Sequence, residues 1–279
     1  SRFIAILTQS GGAGEKWLSI RGGFMTQIID GKKISQEIRD SLKDKVAELK
    51  QRYGRVPGLA VVLVGEDPAS AVYVRMKHKG CQEAEMNSFQ HILPDSTTER
   101  ELLDLVNRLN NDPEVSGILV QLPLPGHINE LEVINAISPE KDVDGFHPVN
   151  TGRMVNGDEC FLPCTPLGIQ ELIYRFAGDI KGKHLVVVGR SNIVGKPVAN
   201  MMFQKNERAN CIVTVCHTAA PDISVYTRQA DILVVAAGRP NTVTGDMVKD
   251  GVVVIDVGVN RLEDPADSKK TKLYGDVDV

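Results

Sequence analysis

Residues 186–200 limit the fold more than any other part of this chain. They read VVVGRSNIVGKPVAN, so three valines run directly into Gly189, and a second glycine, Gly195, lies just ahead of a helix-like segment. Glycine at the first position permits a tight turn, glycine at the second permits close helix packing, and the amino end of the helix favours a phosphate. The pattern predicts a strand–turn–helix unit of the kind that binds dinucleotides. Because Ser191 replaces the middle glycine of the usual fingerprint, an ordinary strand–helix corner without a ligand stays open as the alternative.

The rest of the chain alternates between helix-like and strand-like segments. Apolar residues recur at three-to-four spacing among charges over residues 34–52, which predicts an amphipathic helix, and the apolar run 58–65 predicts a buried strand. Further helices are predicted at 70–85, 99–110, 131–137, 167–176 and 196–203, and further strands at 88–94, 117–125, 184–189, 211–216, 231–238 and 251–258. Such alternation predicts parallel sheets. We therefore predict two α/β domains, residues 25–147 and 148–279, with a cleft between them and a Rossmann-type nucleotide-binding fold in the second.

Charge and hydropathy give no sign of a nucleic-acid or membrane partner. The 279 residues carry a formal net charge of −4, which gives no reason to expect nucleic acid or an anionic membrane surface. The longest apolar runs have the length of strands and are far too short to span a membrane. We expect a soluble protein that binds neither nucleic acid nor membrane.

The cysteines predict a reducing compartment. Their number, five, is odd, and no secretory signal is visible, so we expect reduced thiols in a cytoplasmic protein. Cys160 and Cys164 lie four residues apart, but no second pair of cysteines or histidines accompanies them. We therefore expect no metal site.

Lys77 is the candidate catalytic residue. It ends the run YVRMK, and its spacing of four from Tyr73 puts both side chains on one face of the predicted helix. A lysine with an ordinary pKa is a poor proton carrier at neutral pH, but removal from water lowers that pKa into a useful range. Tyr73 can stack on a planar ring or position a proton. The alternative is a surface lysine beside a tyrosine that merely packs.

Polar residues at the ends of predicted strands add to this candidate site. Gln121 ends the strand that precedes Leu122, and a polar residue at the carboxyl end of a parallel strand usually faces the ligand. Its amide can hydrogen-bond to Lys77 and hold it, or it can simply cap a loop. Asp142 and Asp144 lie in the run DVDG, where either acid can bind an aminopyrimidine ring or form the turn before glycine.

The charges around the predicted turn indicate which dinucleotide it takes. Arg190 places a positive charge beside the expected adenosine ribose. A site for NAD usually has a carboxylate at the end of the next strand, and here that strand ends Cys216-His217-Thr218. A guanidinium without a carboxylate favours NADP, although NAD stays open and Arg190 can instead pair with a surface carboxylate.

Six motifs together resemble one family. They are YVRMK, VQLPLP, PEKDVDG, PCTP, GRSNIVGKP and VIDVGVNR. From about residue 25 to residue 278 the chain is similar to the bifunctional methylenetetrahydrofolate dehydrogenase/cyclohydrolase family of one-carbon metabolism and purine biosynthesis. The resemblance implies that 5,10-methylenetetrahydrofolate is oxidised with NADP⁺ and that the product is hydrolysed to 10-formyltetrahydrofolate. It also implies a homodimer formed through the face of the nucleotide domain.

The resemblance assigns roles to individual residues. Lys77 assists water addition and proton movement, Gln121 tunes Lys77, Tyr73 packs on the folate, and Asp144 anchors the pterin. Val120 and Leu122, beside Gln121, are expected to line the substrate site. The expected cofactor contacts are Gly189, Arg190, Ser191, Gly195, Thr218 and Val259.

The chain departs from the family pattern at three places. Ala219 and Ala220 follow Thr218 where the family often has a basic residue, which is expected to weaken the preference for NADP. Residues 1–24 precede MTQIIDGKKIS, which resembles the start of the family's proteins. We expect that extension to be non-native, translated from upstream DNA, with a transit peptide as the rival. The chain stops at GDVDV, where the family continues, so we expect a C-terminal segment to be missing.

Two other functions compete with this interpretation. Short-chain dehydrogenases also carry a Tyr-x-x-x-Lys pair, but their glycine-rich turn precedes the tyrosine, whereas here it follows by more than a hundred residues. A silent nucleotide- or folate-binding protein is the second rival. The presence of Tyr73, Lys77, Gln121 and Asp144 together argues against it.

Overall fold

The structure is a computed structural model that describes residues 2–6, 26–264 and 267–278. The chain divides into two compact units. The first unit is Lys32–Cys164, and the second unit combines Ser1–Gly31 with Thr165–Val279.

The first unit contains a three-stranded parallel sheet with the order β4-β3-β5. Its strands alternate with helices, and a further helix, α5, follows α4. The elements are α1 (Gly31–Tyr53), β3 (Gly58–Val64), α2 (Pro68–Glu83), β4 (Asn87–Leu93), α3 (Glu99–Asn111), β5 (Gly117–Val120), α4 (Glu130–Ala136) and α5 (Pro148–Asn156).

The central strand β3 explains why this sheet forms. Ala60 and Val62 face a core that also contains Leu102 and Ile118, whereas Val61 and Leu63 face a smaller core on the opposite side of the sheet. A central strand of a parallel sheet is buried on both faces, so it consists of consecutive apolar residues instead of alternating ones. The sequence GLAVVLV meets that requirement.

Helix α2, which carries Tyr73 and Lys77, has a defined start. The side chain of Asp67 accepts a hydrogen bond from the backbone N–H of Ser70 at 2.7 Å, and Pro68 occupies the first turn. Both residues favour helix initiation, the first by satisfying a free N–H and the second by its fixed φ. The phase of the helix, and so the side from which Lys77 projects, is set at this cap.

The second unit contains a six-stranded parallel sheet with the order β2-β1-β9-β8-β6-β7. An antiparallel hairpin, β10-β11, follows it. The strands are β1 (Arg2–Ile6), β2 (Thr26–Ile28), β6 (His184–Val188), β7 (Ile212–Cys216), β8 (Ile232–Val235), β9 (Val253–Asp256), β10 (Asn260–Asp264) and β11 (Asp267–Tyr274). The helices are α6 (Cys164–Phe176), α7 (Gly195–Met202) and the short α8 (Ser224–Thr227), with a 3₁₀ turn at Gly245–Met247.

The predicted fold class, two α/β domains with parallel sheets and a Rossmann-type second domain, is confirmed. Strands β1 and β2, helix α5 and the hairpin β10-β11 were not predicted. Helix α5 lies where we placed the domain boundary; His147 and Pro148 begin it, and Gly157, with φ +81°, ends it. The hairpin β10-β11 breaks the β–α alternation because its two strands are paired antiparallel.

The predicted domain boundary at 147/148 stays a prediction. The division of the chain into two compact units falls between Cys164 and Thr165. Of residues 1–24, for which we predict a non-native origin, the structure describes 2–6, which form β1; the others lie outside the described residues. Within the described ranges, no helix combines the length and apolar character needed to cross a bilayer.

Candidate active site

Lys77 and Gln121 meet in the first unit although 44 residues separate them in the sequence. Nζ of Lys77 donates a hydrogen bond to Oε1 of Gln121 at 2.9 Å. Nε2 of Gln121 donates in turn to the carbonyl oxygen of Leu122 at 2.8 Å, which fixes the amide so that its oxygen faces the lysine. The hydrogen bond that the sequence predicted between these side chains is therefore present, and it holds the amine of Lys77 in a defined place.

Burial changes the proton affinity of Lys77. It lowers the pKa of Lys77 below its ordinary value, and the negative charges of Asp144 and Cys164 oppose this shift without cancelling it. Removal from water penalises the charged ammonium, so the neutral amine becomes available at lower pH than for a surface lysine. A positioned amine of this kind can accept a proton from water or a reacting group.

Asp144 forms the acidic side of the same site. Burial raises its pKa, the positive charge of Lys77 opposes that shift, and Asp142 adds to it. The charges of Lys77 and Asp144 each favour the charged form of the other group, whereas burial favours the neutral form of both. An acid and a base whose charges interact can bind a polar ring between them.

The structure distinguishes the two acids of the DVDG turn. Asp142 is 2% exposed, and its carboxylate accepts hydrogen bonds from the backbone N–H groups of Phe146 and His147 at 3.3 and 2.9 Å. It also accepts from Nδ2 of Asn150 at 2.9 Å. Asp142 is therefore used in holding the turn and helix α5. Asp144 is only partly buried and remains the acid available for a ligand.

Cys164 is a neighbour of this site that sequence reasoning missed. Its thiol donates to the carbonyl oxygen of Val143 at 3.5 Å. The residue as a whole is exposed, yet enough protein surrounds its sulfur that burial, with Asp144 acting in the same direction, raises the thiol pKa to about 11. The sequence signal is the PCTP motif; the spacing of Cys164 from Cys160 by itself pointed only to a metal pair.

The remaining predicted substrate residues lie around these groups. Tyr73 is half-buried one turn before Lys77 on α2. Val120 ends β5 and is 7% exposed, and Leu122, which follows Gln121, is partly buried. Tyr73 therefore lies on the same helix as Lys77, and Val120 and Leu122 flank Gln121, the hydrogen-bond partner of Lys77.

The second predicted site, in the second unit, is formed by the turn between β6 and α7. Gly189 has φ +132°, and a Cβ there would overlap the carbonyl oxygen of Ala236. A Cβ on Gly195 would overlap the backbone of Gly189 itself. Ser191 closes the turn, because its Oγ accepts from the backbone N–H groups of Val194 and Gly195 at 3.1 and 3.3 Å. Both glycines are thus required by close backbone approach.

The charged part of this turn points to solvent. Arg190 is exposed, and none of the described carboxylates lies within ion-pair distance of it, so the rival role as a partner of a surface acid finds no support. In the parallel register Val188 pairs with Cys216, so the segments that carry Arg190 and Thr218 leave the sheet from adjacent strands. Thr218 and Val259 are both exposed. An exposed arginine and an exposed hydroxyl that follow adjacent strands, with no described carboxylate paired to the arginine, fit a phosphate group.

A surface depression and possible metal ligands were also considered as sites. A surface depression of about 380 Å³ in the second unit is lined mainly by charged and amide side chains, among them Asp179, Lys181 and Glu207, and contains none of the residues above. No group of three or more potential metal-ligating side chains occurs among the residues that the structure describes.

Comparison with known proteins accounts for both units. Residues 29–144 match the model of the tetrahydrofolate dehydrogenase/cyclohydrolase catalytic domain, and residues 163–279 match the NAD(P)-binding domain of the same enzymes. The chain belongs to the tetrahydrofolate dehydrogenase/cyclohydrolase family. It is therefore an enzyme with two activities, a methylenetetrahydrofolate dehydrogenase and a methenyltetrahydrofolate cyclohydrolase. The short-chain dehydrogenase and the silent binding protein are both excluded.

Relatives in this family cover most of the chain. The bifunctional protein FolD of Chlorobium phaeovibrioides is 58% identical over 253 residues, which are 90% of this chain and 86% of the relative. A crystal structure of FolD from Campylobacter jejuni is 48% identical with a TM-score of 0.83, covering 89% of this chain and 85% of that one. A FolD structure from Trypanosoma brucei, complexed with NADP cofactor and an inhibitor, is 38% identical with a TM-score of 0.83, covering 90% and 85%.

Proposed function

We propose that the first unit binds the folate and carries out the hydrolytic step, and that the second unit binds NADP. The folate reaction then proceeds from 5,10-methylenetetrahydrofolate through the 5,10-methenyl cation to 10-formyltetrahydrofolate. The observation that carries this proposal is the half-buried, hydrogen-bonded pair Lys77–Gln121, whose lysine interacts with the charge of Asp144.

Lys77 supplies proton transfer in the hydrolytic step. Water adds to the electrophilic carbon of the methenyl cation, and a proton must leave that water before the ring opens. The lowered pKa of Lys77 makes a neutral amine available to accept it. Gln121 holds the amine in place through a 2.9 Å hydrogen bond.

Asp144 and Tyr73 position the substrate. Asp144 is free of the backbone contacts that occupy Asp142, so its two oxygens can accept hydrogen bonds from an aminopyrimidine ring. Tyr73 offers an aromatic face one helical turn from Lys77. Val120 and Leu122 contribute apolar surface for the same ring.

The second unit fits a dinucleotide at the β6–α7 turn. Bound NADP⁺ would accept a hydride from the methylene carbon of the folate. The backbone at Gly189 and Gly195 permits a pyrophosphate to approach the amino end of α7. Arg190, Ser191 and Thr218 offer a cation and two hydroxyls to the 2′-phosphate, and the Trypanosoma brucei relative is complexed with NADP. NAD remains the weaker second candidate because alanines occupy positions 219 and 220.

We further infer that the enzyme acts as a homodimer in the cytoplasm. The five cysteines are all free thiols, which suits a reducing compartment. The family resemblance supports a dimer formed through the nucleotide-binding unit, and sedimentation of the purified protein tests its stoichiometry.

A two-step assay tests the proposed function. The purified chain is given 5,10-methylenetetrahydrofolate with NADP⁺ or NAD⁺, and the absorbance of the reduced nicotinamide is followed. In a second assay it is given 5,10-methenyltetrahydrofolate alone, and the loss of the methenyl chromophore is followed. We expect activity in both, with NADP⁺ favoured over NAD⁺. Hydrolysis that persists unchanged when Lys77 is replaced, or equal use of both cofactors, would contradict the assignment.

A further inference from the structure

Two buried carboxylates in the second unit have no role in the chemistry described so far. Asp256 is the last residue of β9 and is 1% exposed, and Asp276 is fully buried at 0%. Within the described part of the chain neither forms an ion pair with a cation. Buried carboxylates without a counter-ion are costly unless hydrogen bonds satisfy them, so their partners show what they hold.

Asp256 holds the segment around Asp276 and Val277 against the end of β9. Its Oδ1 accepts from the backbone N–H groups of Gly258 and Asp276, both at 2.9 Å, and its Oδ2 accepts from that of Val277 at 3.1 Å. Side-chain space at Gly275 is filled by the Asp256 carboxylate, because a Cβ there would overlap it. Burial raises the pKa of Asp256, and these N–H groups oppose the shift. Asp256 thus fixes the position of Asp276.

Asp276 in turn holds the loop that follows β8. Its Oδ2 accepts from the backbone N–H groups of Ala237 and Gly238 at 2.7 and 2.8 Å, and its Oδ1 accepts from Nδ2 of Asn260 at 2.8 Å. Two consecutive N–H groups on one carboxylate oxygen define the local backbone direction. The β8 loop is therefore oriented by a side chain that lies 38 residues further along the chain.

The β8 loop forms one wall of the nucleotide turn. The N–H of Ala236 donates to the carbonyl oxygen of Val188 at 2.8 Å, at the point where β6 enters the turn. The carbonyl oxygen of Ala236 lies so close to Gly189 that it leaves no room for a Cβ. A displacement of the Ala237–Gly238 backbone would therefore reach the turn directly through Ala236.

The geometry points to Asp276, held by Asp256, as a positioning residue for the dinucleotide: it fixes the β8 loop against the turn Gly189–Gly195 so that the turn keeps its ligand-binding shape. This inference rests on the proposed use of NADP by the second unit. Asp276 itself need not contact the cofactor, since it acts through the backbone of Ala236.

The backbone around Asp276 permits a test in folded protein. Its carbonyl oxygen accepts from the N–H of Thr242 at 2.7 Å, and the N–H of Asp278 donates to Val243 at 2.8 Å. These bonds do not involve the carboxylate, so the segment stays attached when the side chain is shortened. Asp276→Ala removes all three side-chain acceptor contacts, whereas Asp276→Asn keeps one oxygen for Ala237 and Gly238.

Asp231 provides a matched control in the same unit. It precedes β8, and its carboxylate accepts from the backbone N–H of His184 at 2.8 Å and from Lys249 at 2.6 Å. His184 begins β6, so this contact lies at the strand end opposite to the nucleotide turn. Asp231→Ala also removes a carboxylate that accepts from the backbone, here from a half-exposed side chain paired with Lys249, without touching the β8 loop.

The experiment compares Asp276→Ala, Asp276→Asn and Asp231→Ala with the wild type below their melting temperatures. For each protein, NADPH binding is titrated by fluorescence, and KM for NADP⁺, kcat of the dehydrogenase and the rate of the cofactor-independent cyclohydrolase are measured. We expect Asp276→Ala to weaken NADP binding about tenfold or more, as for loss of a charged hydrogen-bond acceptor. The Asn variant should show a smaller loss, and hydrolysis should stay at the wild-type rate in both.

The outcomes separate this inference from the proposed function. If the wild type uses NADP and Asp276→Ala binds it as tightly, the inference is wrong while the function stands. An equal loss of NADP binding in Asp231→Ala would reduce Asp276 to a purely structural role. If Asp276→Ala does not fold, the Asp276→Asn variant decides: NADP binding weaker than in the wild type supports the inference, and equal binding contradicts it. A wild type without NADP-dependent oxidation would contradict the proposed function itself.

Discussion

The two candidate sites of this enzyme are built in opposite ways. The nucleotide turn consists of seven consecutive residues, Gly189–Gly195, and its shape depends on backbone atoms in close approach. The hydrolytic site combines side chains from positions 77, 121 and 144, on α2, at the end of β5 and in the turn before α5. A site of backbone atoms is sensitive to any added atom, whereas a site of side chains is sensitive to the chemistry of each one. The following predictions test that difference.

The largest effect is expected at Lys77. Lys77→Met should lower the cyclohydrolase rate by about 10²–10⁴-fold, the usual contribution of a positioned acid–base group. Burial lowers the pKa of Lys77, so the folded protein disfavours its charge. The substitution should therefore leave the melting temperature and NADP binding nearly unchanged. The rate is measured by loss of the methenyl chromophore.

Lys79→Met is the matched control for this variant. Lys79 lies on the same helix, is exposed, and forms a 3.6 Å ion pair with Glu83. It should keep the wild-type rate. A Lys77→Met enzyme that retained more than about a tenth of the wild-type rate would contradict the assigned role.

The next effect concerns a single methyl group in the nucleotide turn. Gly195→Ala puts a Cβ into the backbone of Gly189, which should cost about 1–3 kcal/mol in stability and weaken NADP binding strongly. The cyclohydrolase should be spared, because its residues belong to the other unit. Thermal melting and NADPH titration check both effects.

Gly168→Ala serves as the control for Gly195→Ala. Gly168 lies within helix α6 of the same unit, and a Cβ there would meet no other atom within 4 Å. Alanine should stabilise this helix by up to about 1 kcal/mol. Equal behaviour of the two variants would show that the turn does not depend on backbone approach.

Arg190 tests the charged side chain among those that we propose bind the 2′-phosphate. Arg190→Ala should raise KM for NADP⁺ by about ten- to a hundred-fold, the value of a charge-assisted hydrogen bond to phosphate, and should change KM for NAD⁺ much less. The two cofactors are each other's control in one steady-state assay. A parallel increase in both values would mean that Arg190 does not bind the 2′-phosphate.

The smallest effect is an electrostatic one in the hydrolytic site. The charge of Asp144 raises the pKa of Lys77 against the lowering by burial, so Asp144→Asn should lower that pKa further. The amine of Lys77 should then react with trinitrobenzenesulfonate at lower pH than in the wild type, with Lys77→Met as the blank. Glu140→Gln removes an exposed charge nearby in sequence and should leave the profile unchanged. A profile that moves to higher pH in Asp144→Asn would contradict the coupling.

How much could be predicted depended on whether a feature is formed by consecutive residues or by side chains from separate segments. The turn at Gly189 and the helices and strands that alternate around it were found because each is specified by neighbouring residues. The Lys77–Gln121 hydrogen bond was predicted from strand-end logic and is present. The catalytic and binding roles of both sets of residues stay predictions. Helix α5 was missed because Pro148 and Gly157 resemble a linker, although they are its start and its end.

Other features needed more than residue chemistry. The residues alone left open which acid of the DVDG turn is available; the family resemblance pointed to Asp144, and the contacts of Asp142 with Phe146, His147 and Asn150 show that Asp142 is already used in the turn. Neither the closeness of Cys164 to Asp144 nor the carboxylates that orient the β8 loop could be found from spacing. The carboxylate contacts to the β8 loop join residues 38 and 39 positions apart in the chain.

The sequence by itself determined the α/β alternation, the parallel sheets, the nucleotide turn and the family, because hydrophobic periodicity, glycine placement and short motifs are properties of consecutive residues. Only the tertiary structure decided which side chains share a buried environment. The register of β5 beside β3 brings Gln121 to Lys77. The hydrogen bond from the backbone N–H of Asp276 to Asp256 places the Asp276 carboxylate against the β8 loop, next to the nucleotide turn. Burial and hydrogen bonding then set the charge of each group, and both are properties of the folded packing.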